Sequence, residues 1–208
     1  MNTAIKADMV SEEARKAALK SMKTLNRYAR DVLKRHTVHA CTDVTGFGLG
    51  GHGTEMADGS KKTLVIDTKA LPILPDVEEY ASMGLIPGGA YRNREFAAKS
   101  GYISIAELWR EDLVFDPQTS GGLLAAVPAD EAEEILLELS ESALSCAMIG
   151  EVTDRENHAL EICYKNIKLC GIYIENLYQK CYNARIQYVE GTKEFIKYSV
   201  PWKGRYFL

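Results

Sequence analysis

The most informative stretch of this chain reads Ala40-Cys41-Thr42-Asp43-Val44-Thr45-Gly46-Phe47-Gly48-Leu49-Gly50-Gly51-His52. A short apolar run typical of a strand ends in the carboxylate of Asp43, and the glycines after it indicate a turn that leads into a helix. Carboxylate oxygens suit Mg²⁺, which prefers one or two protein ligands together with substrate phosphates. Free N–H groups at the start of a helix suit the phosphate itself. The stretch therefore predicts a cation and phosphate site, with Asp43 as the candidate metal ligand.

Each of these features also has an ordinary structural interpretation. An aspartate beside glycine often caps a helix or closes an Asx turn, which is the alternative role for Asp43. The glycines between positions 46 and 53 permit close backbone approach, and tight helix packing explains them equally well. His52 has no second ligand at metal spacing, so it is predicted to be a surface or hydrogen-bonded histidine.

A second glycine-containing segment reads Phe115-Asp116-Pro117-Gln118-Thr119-Ser120-Gly121-Gly122-Leu123-Leu124. It forms a loop before a predicted strand. The hydroxyl groups of Thr119 and Ser120 and the N–H group of Gly121 are suited to face a nucleotide or its product. A turn whose hydroxyl groups bond to neighbouring backbone groups explains the same residues equally well.

Length and composition indicate one domain of ordinary size, or one domain with an appendage. The chain has 208 residues, of which 46% are hydrophobic, enough for a packed core. No apolar run approaches the ~18 residues of a membrane helix, and Met1 to Val10 lacks the apolar centre of a secretory signal. We therefore expect a soluble cytoplasmic protein without a membrane partner.

The cysteines and charges exclude some classes of site. The five cysteines form no Cys-x-x-Cys pair, which argues against a zinc ribbon and favours reduced thiols. Residues 164–208 carry eight Lys and Arg against three Glu, although the whole chain has a net charge of -4. These positive charges are scattered and accompany no binding motif, so nucleic acid is not expected as a partner.

Hydrophobic periodicity predicts an α+β domain. Helices are predicted over residues 11–35, 76–83, 105–109 and 130–143. A further short helix is predicted to follow a turn at residues 46–53 and to end near residues 58–59. Strands are predicted over residues 38–44, 63–67 and 123–127, with a hairpin of 147–152 and 159–163 and two further strands at 172–178 and 186–189. Residues 87–89 are predicted to lie in a long loop. Helices and strands alternate without a strict βαβ order, which favours a layered domain with a mixed sheet.

The two glycine-containing motifs together resemble selenophosphate synthetase (selenide, water dikinase). Three more segments follow in the order of that family: Ser21–Asn26, Leu71–Pro75 and Gly84–Asn93. The likeness covers Asn2 to about Ile162 and corresponds to the C-terminal domain of the family, which has the AIR synthetase C-terminal-domain-like fold. We therefore predict one domain over residues 1–162 and an unmatched basic, Tyr-rich tail over 163–208.

The resemblance implies a function and a set of site residues. Selenophosphate synthetases make selenophosphate, AMP and orthophosphate from ATP, selenide and water, and they use Mg²⁺. The Asp of the family that matches Asp43 helps to hold the metals that bridge the ATP phosphates. The predicted nucleotide-binding residues are Thr45, Gly46, Gly48, Thr119, Ser120 and Gly121. The family more often has larger residues at the positions of Gly50 and Gly53, which predicts a looser helix here.

The resemblance also implies that parts of the active site lie elsewhere. In the family, an N-terminal segment supplies a reactive Cys or selenocysteine and a Lys, and an N-terminal domain supplies further metal-binding Asp residues and most ATP contacts. Met1 to Lys6 matches the family close to the start of its C-terminal domain, so the first strand of that domain is also expected to be missing. We expect a C-terminal domain or truncated form that is inactive alone and has an N-terminal half as its partner. Full-length members form homodimers, so a homo-oligomer is a further possibility.

Two alternatives remain open. One is another ATP-dependent enzyme of the AIR synthetase superfamily, with the same fold and a different substrate. The other is a non-catalytic binding or assembly module. An assay with ATP, Mg²⁺ and selenide separates these three functions.

Overall fold

The structure, a computed structural model, describes residues 1–142, 145–164 and 205–207. The helices are α1 (Asn2–Lys6), α2 (Glu12–Lys23), α3 (Arg27–Leu33), α4 (Gly48–Ser60), α5 (Val77–Ser82), α6 (Gly88–Lys99), α7 (Leu108–Val114) and α8 (Ala132–Ser142). The strands are β1 (Ala40–Asp43), β2 (Lys62–Asp67), β3 (Tyr102–Ser104), β4 (Leu123–Pro128), β5 (Gly150–Asp154), β6 (Leu160–Cys163) and β7 (Arg205–Phe207). No helix among the described residues is long and apolar enough to cross a membrane. The predicted α+β class is confirmed.

The strands form one mixed sheet in the order β1-β4-β7-β5-β2-β6-β3. Strand β6 is parallel to both β2 and β3, and the other pairs are antiparallel. The predicted hairpin of 147–152 with 159–163 is wrong, because β5 and β6 pair with opposite edges of β2. Strand β2 takes the position between them and buries Leu64 and Ile66 almost completely. The strands predicted at residues 172–178 and 186–189 lie outside the described part of the chain.

The helix predicted over residues 11–35 is two helices. Ser11 caps α2 as expected, since its hydroxyl oxygen accepts a hydrogen bond from the N–H group of Ala14. The backbone of Thr24 is extended, and its hydroxyl donates to the carbonyl oxygen of Lys20. The extended backbone of Thr24 ends α2 before α3 begins, and its hydroxyl bonds to a carbonyl oxygen of the last turn.

Helix α6 occupies much of the segment predicted to be a long loop. It buries Ala90, Asn93 and Ala97, which are small or polar residues. Their spacing is helical, but they form a weak apolar stripe, so hydrophobic periodicity does not reveal the helix. Its first residues bring Gly89 next to the second glycine motif.

The core lies on both faces of the sheet. Side chains of strand β4 alternate between the two faces. Leu124 and Ala126 pack with residues of α4, α6 and α7 on one face. Ala125 and Val127 point to the opposite face and pack with α3 and α8. This packing fixes the ends of β1 and β4, where the two glycine motifs lie.

Candidate functional site

The two glycine motifs lie side by side at one end of the sheet. Asp43, the last residue of β1, is paired with Leu123, the first residue of β4. The N–H group of Val44 donates to the carbonyl oxygen of Gly122, and the N–H group of Gly121 donates to that of Val44, both over 2.9 Å. Antiparallel pairing therefore continues beyond the strands and joins the two loops.

Thr45 and Gly48 extend this contact. The carbonyl oxygen of Thr45 accepts hydrogen bonds from the N–H groups of Gly48 and Gln118, over 2.9 and 3.0 Å. Gly48 has a φ of +68°, and a Cβ atom there would lie 2.7 Å from the main-chain oxygen of Asp116. Glycine is required at this position because any side chain would strain the backbone and push the loops apart.

Helix α6 closes the arrangement from a third direction. The side-chain amide of Asn93, only 5% exposed, donates to the carbonyl oxygens of Gly46 and Phe115, over 2.9 and 3.0 Å. Gly89 lies so close to Pro117 that a Cβ atom on it would be 2.5 Å from Pro117 Cγ. One buried side chain thus holds both glycine motifs against α6.

A cleft of about 510 Å³ opens between these three segments. Its lining residues are Thr45, Gly46, Phe47, Gly89, Arg92, Asn93 and Pro117. Arg92 is exposed and forms no ion pair with any residue that the structure describes. Phe47 stacks on Phe96, with ring centroids 5.3 Å apart. The cleft therefore presents a guanidinium group and an aromatic surface to a ligand.

Asp43 is exposed at the end of β1. Its carboxylate makes no hydrogen bond or ion pair within the described residues. Phe47, and not Asp43, is the N-cap residue of α4, and no side chain caps that helix. The helix-cap interpretation of Asp43 is therefore wrong. Asp43 is not part of the cleft lining, and its role as a metal ligand stays a prediction.

The remaining predicted site residues occupy different environments. Thr45 and Gly46 line the cleft. Gly48 is buried against protein atoms, while Thr119 and Ser120 are exposed outside the cleft lining. The predicted free N–H group of Gly121 is instead bonded to Val44. Nucleotide binding by these six residues stays a prediction.

A hydrogen-bonded chain leads from the cleft into α4. The hydroxyl oxygen of Thr45 is 3.0 Å from Nε2 of His52, and Nδ1 of His52 is 3.0 Å from a carboxylate oxygen of Glu55. His52 is 9% exposed and forms a T-shaped contact with the Phe47 ring, with centroids 5.6 Å apart. His52 is thus a hydrogen-bonded histidine, one of the two interpretations the sequence favoured.

Asp116 is a half-buried acid next in sequence to the cleft. Burial raises the pKa of the Asp116 carboxyl above its usual value of 3.8. Asp116 precedes Pro117, which lines the cleft. A carboxyl group with a raised pKa is less readily ionised than one in water.

Sequence reasoning assigned no role to Arg92 or Asn93, although both lie in the Gly84–Asn93 segment that follows the order of the family. The available signal was a Gly-Gly pair three residues before an Arg-Asn pair. That pattern places two polar side chains in the first turns of a helix. Their convergence with Gly46 becomes visible only in the folded chain.

The family profile described as "AIR synthase related protein, C-terminal domain" matches residues 2–163. The chain belongs to this family. The match includes both glycine motifs and helix α6, which together form the cleft. The division into domains at residues 162 and 163 stays a prediction.

Relatives named selenide, water dikinase show the same likeness. That of Clostridium botulinum (strain Alaska E43 / Type E3) is 42% identical over 164 residues, which are 78% of this chain and 47% of the relative. That of Pelobacter propionicus is 44% identical over 156 residues, or 74% of this chain and 45% of the relative. That of Treponema denticola is 41% identical over 165 residues, or 77% of this chain and 47% of the relative. The predicted resemblance is confirmed, and the chain spans about half the length of these relatives.

Proposed function

We propose that this chain is the C-terminal domain of a selenophosphate synthetase, which makes selenophosphate, AMP and orthophosphate from ATP, selenide and water. The observation that carries the proposal is the meeting of both glycine motifs with Arg92 at one cleft. The homology to selenide, water dikinases supports the same assignment.

The cleft has the chemistry that phosphoryl transfer needs. Transfer of a phosphoryl group depends on positioning and on neutralisation of charge. Arg92 offers a planar guanidinium group that matches phosphate oxygens. We assign Thr45 and Gly46 to the nucleotide-binding wall of the cleft, with Gly46 beside the phosphates. Gly48 holds the two loops together, and the predicted contacts with ATP include this residue and the loop of residues 119–121.

Asp43 fits Mg²⁺ by the nature of its donor atoms. Its carboxylate is exposed, and within the described residues it has no competing partner. Hard oxygen ligands of this kind are those that Mg²⁺ takes in proteins. When bound, Mg²⁺ neutralises charge on the phosphates, and Asp43 is the residue of this chain that we assign to hold it.

We further propose that turnover requires residues outside this chain. The matched stretch is 47% of the Clostridium botulinum relative. In the proposed enzyme, an N-terminal half supplies the remaining ATP contacts, the other metal ligands and the reactive Cys and Lys. The cleft then forms one wall of a site shared between two domains, and ATP and selenide are its small-molecule substrates.

The test is restoration of activity. The chain is incubated with ATP, Mg²⁺ and selenide, alone and with a separately expressed N-terminal half of the Clostridium botulinum relative, and ³¹P NMR detects AMP and selenophosphate. We expect turnover only in the mixture. Arg92→Ala is expected to abolish it, while Lys99→Ala, an exposed change in the same helix, keeps it.

Two results would support other functions. ATP consumption without dependence on selenide would indicate another enzyme of the superfamily. Capture of a defined protein without nucleotide, together with no restored turnover, would indicate an assembly module.

A further inference from the structure

The chain Thr45, His52 and Glu55 fixes the direction of hydrogen bonds at the cleft. Glu55 lies one helical turn after His52 in α4, and its carboxylate oxygen is 3.0 Å from Nδ1. On the other side of the ring, Nε2 is 3.0 Å from the Thr45 hydroxyl oxygen. The ring cannot easily turn, since it is 9% exposed and contacts Phe47.

The chemistry of the three groups determines where the protons lie. An ionised carboxylate can only accept hydrogen bonds, so Nδ1 of a neutral imidazole must carry the proton that reaches Glu55. Nε2 of His52 is then an acceptor. The hydroxyl of Thr45 must therefore donate to Nε2, and only its lone pairs are left for other partners.

We propose that His52 and Glu55 are positioning residues that make Thr45 a hydrogen-bond acceptor toward the cleft. Thr45 would then receive a hydrogen bond from a ligand group that carries a proton, and it would disfavour a bare phosphate oxygen. The acceptor role of Thr45 does not depend on the proposed reaction. The identity of the ligand group that donates to Thr45 does rest on the proposed function: it is either water held by a divalent cation or a sugar hydroxyl of the nucleotide.

The loops around Thr45 support a positioning role. Its carbonyl oxygen is held by Gly48 and Gln118, and the next carbonyl, that of Gly46, is held by Asn93. The backbone of Thr45 is thereby fixed independently of its hydroxyl group. A change of hydroxyl polarity can then alter ligand binding while the loop stays in place.

The first test is the tautomer of His52. Long-range ¹H–¹⁵N NMR is recorded on the full 208-residue chain with labelled histidine at pH 8, above the usual histidine pKa of about 6.5. The signal that disappears in the His52→Gln variant is assigned to His52. We expect the Nδ1–H tautomer in the wild type and in Glu55→Gln, whose amide oxygen still accepts, and a shift toward Nε2–H in Glu55→Ala. An Nε2–H tautomer in the wild type would overturn the proposal.

The second test examines the ligand side, with three probes: Mg²⁺ offers water protons, adenosine offers hydroxyl protons, and sulfate offers acceptors alone. The backbone amide signal of Gly46, which also lines the cleft, reports binding in every variant. We expect it to respond to Mg²⁺ or adenosine, and the responding probe identifies the source of the donor. Glu55→Ala is expected to lower the affinity for that probe about five-fold, which is the effect of losing one hydrogen bond. Sulfate, which Arg92 can also bind, should bind more tightly in Glu55→Ala than in the wild type, because the Thr45 hydroxyl is then free to donate.

Controls separate polarity from folding. Thr45→Ser keeps the hydroxyl and should bind the probe as the wild type does. Thr45→Val should lose probe binding and should also unfold at a lower urea concentration, because Nε2 of the buried His52 then lacks its partner. Binding is therefore compared under conditions in which urea unfolding shows each variant to be folded. A response to sulfate that is equal in wild type and Glu55→Ala, or no response to any probe, would overturn the acceptor role. If the tautomer and probe results hold but restored turnover is absent, the proposed function fails and the positioning role stands.

Discussion

The side-chain amide of Asn93 donates a hydrogen bond to the carbonyl oxygen of Gly46 over 2.9 Å, across 47 residues of sequence. The same nitrogen also donates to Phe115. Helix α6 thus holds the first glycine motif and the beginning of the second through one buried group.

Asn93→Ala should destabilise the fold and loosen the cleft. Loss of the donor leaves the buried carbonyl oxygen of Phe115 without this partner, a cost of about 1–3 kcal/mol. Urea unfolding measures the effect. Asn157→Ala, at an exposed position, is the control and should stay within about 0.5 kcal/mol of the wild type. Equal effects of the two changes would show that the Asn93 bonds contribute nothing specific.

Two glycines of α4 should respond in opposite ways to alanine. Gly48→Ala places a Cβ atom 2.7 Å from the Asp116 carbonyl oxygen at a φ of +68°, and we expect a loss of about 1–3 kcal/mol. Gly59→Ala has no atom within 4 Å of the new Cβ and should stabilise the helix by up to about 1 kcal/mol. Thermal unfolding of both variants checks this. A stable Gly48→Ala protein would contradict the close approach of the two loops.

The sequence predicts local structure well where the pattern is strong. Strand β2 and helix α8 bury regular apolar positions, and the motif around Asp43 combines a strand with a glycine turn. The predicted hairpin of β5 and β6 fails because pairing in a sheet is decided by distant strands. Neither strand carries a local sign that β2 lies between them.

The candidate site shows the same limit. Thr45 and Gly46 were predicted and do line the cleft, because they belong to a recognisable motif. Arg92 and Asn93 were missed, because α6 buries small and polar residues and its meeting with the motif is a tertiary contact. Gly48 illustrates a further ambiguity, since a glycine that faces a ligand and a glycine that faces a protein carbonyl look alike in sequence.

Glu138 should make stability depend on acid pH. A hydrogen bond from Arg35 lowers the pKa of this carboxyl below its usual 4.5, and His36 adds to the effect. A lowered folded-state pKa stabilises the protein above pH 4.5, and this stabilisation is lost as pH falls through the folded-state value. Glu138→Gln should therefore be less stable than wild type at pH 6, and the difference should shrink below pH 4.5. Urea midpoints from pH 7 to 3 measure it.

The control for this pH dependence is Glu141→Gln. Glu141 is exposed on the same helix, so its replacement should give a nearly constant difference from wild type over the same range. A Glu138→Gln protein whose deficit stays constant down to pH 3 would show that the bond from Arg35 does not stabilise the fold.

Asp43→Asn should impair Mg²⁺ binding without impairing folding. The carboxylate is exposed and has no partner among the described residues, so its loss should change stability by less than about 0.5 kcal/mol. An amide is a weaker ligand for a hard cation than a carboxylate. In the mixture with the N-terminal half, the Mg²⁺ concentration for half-maximal rate should rise, and line broadening by Mn²⁺ near β1 should weaken. Asp130→Asn, at another exposed position, should leave both unchanged. An Asp43→Asn protein with wild-type Mg²⁺ dependence would remove this residue from the cation site.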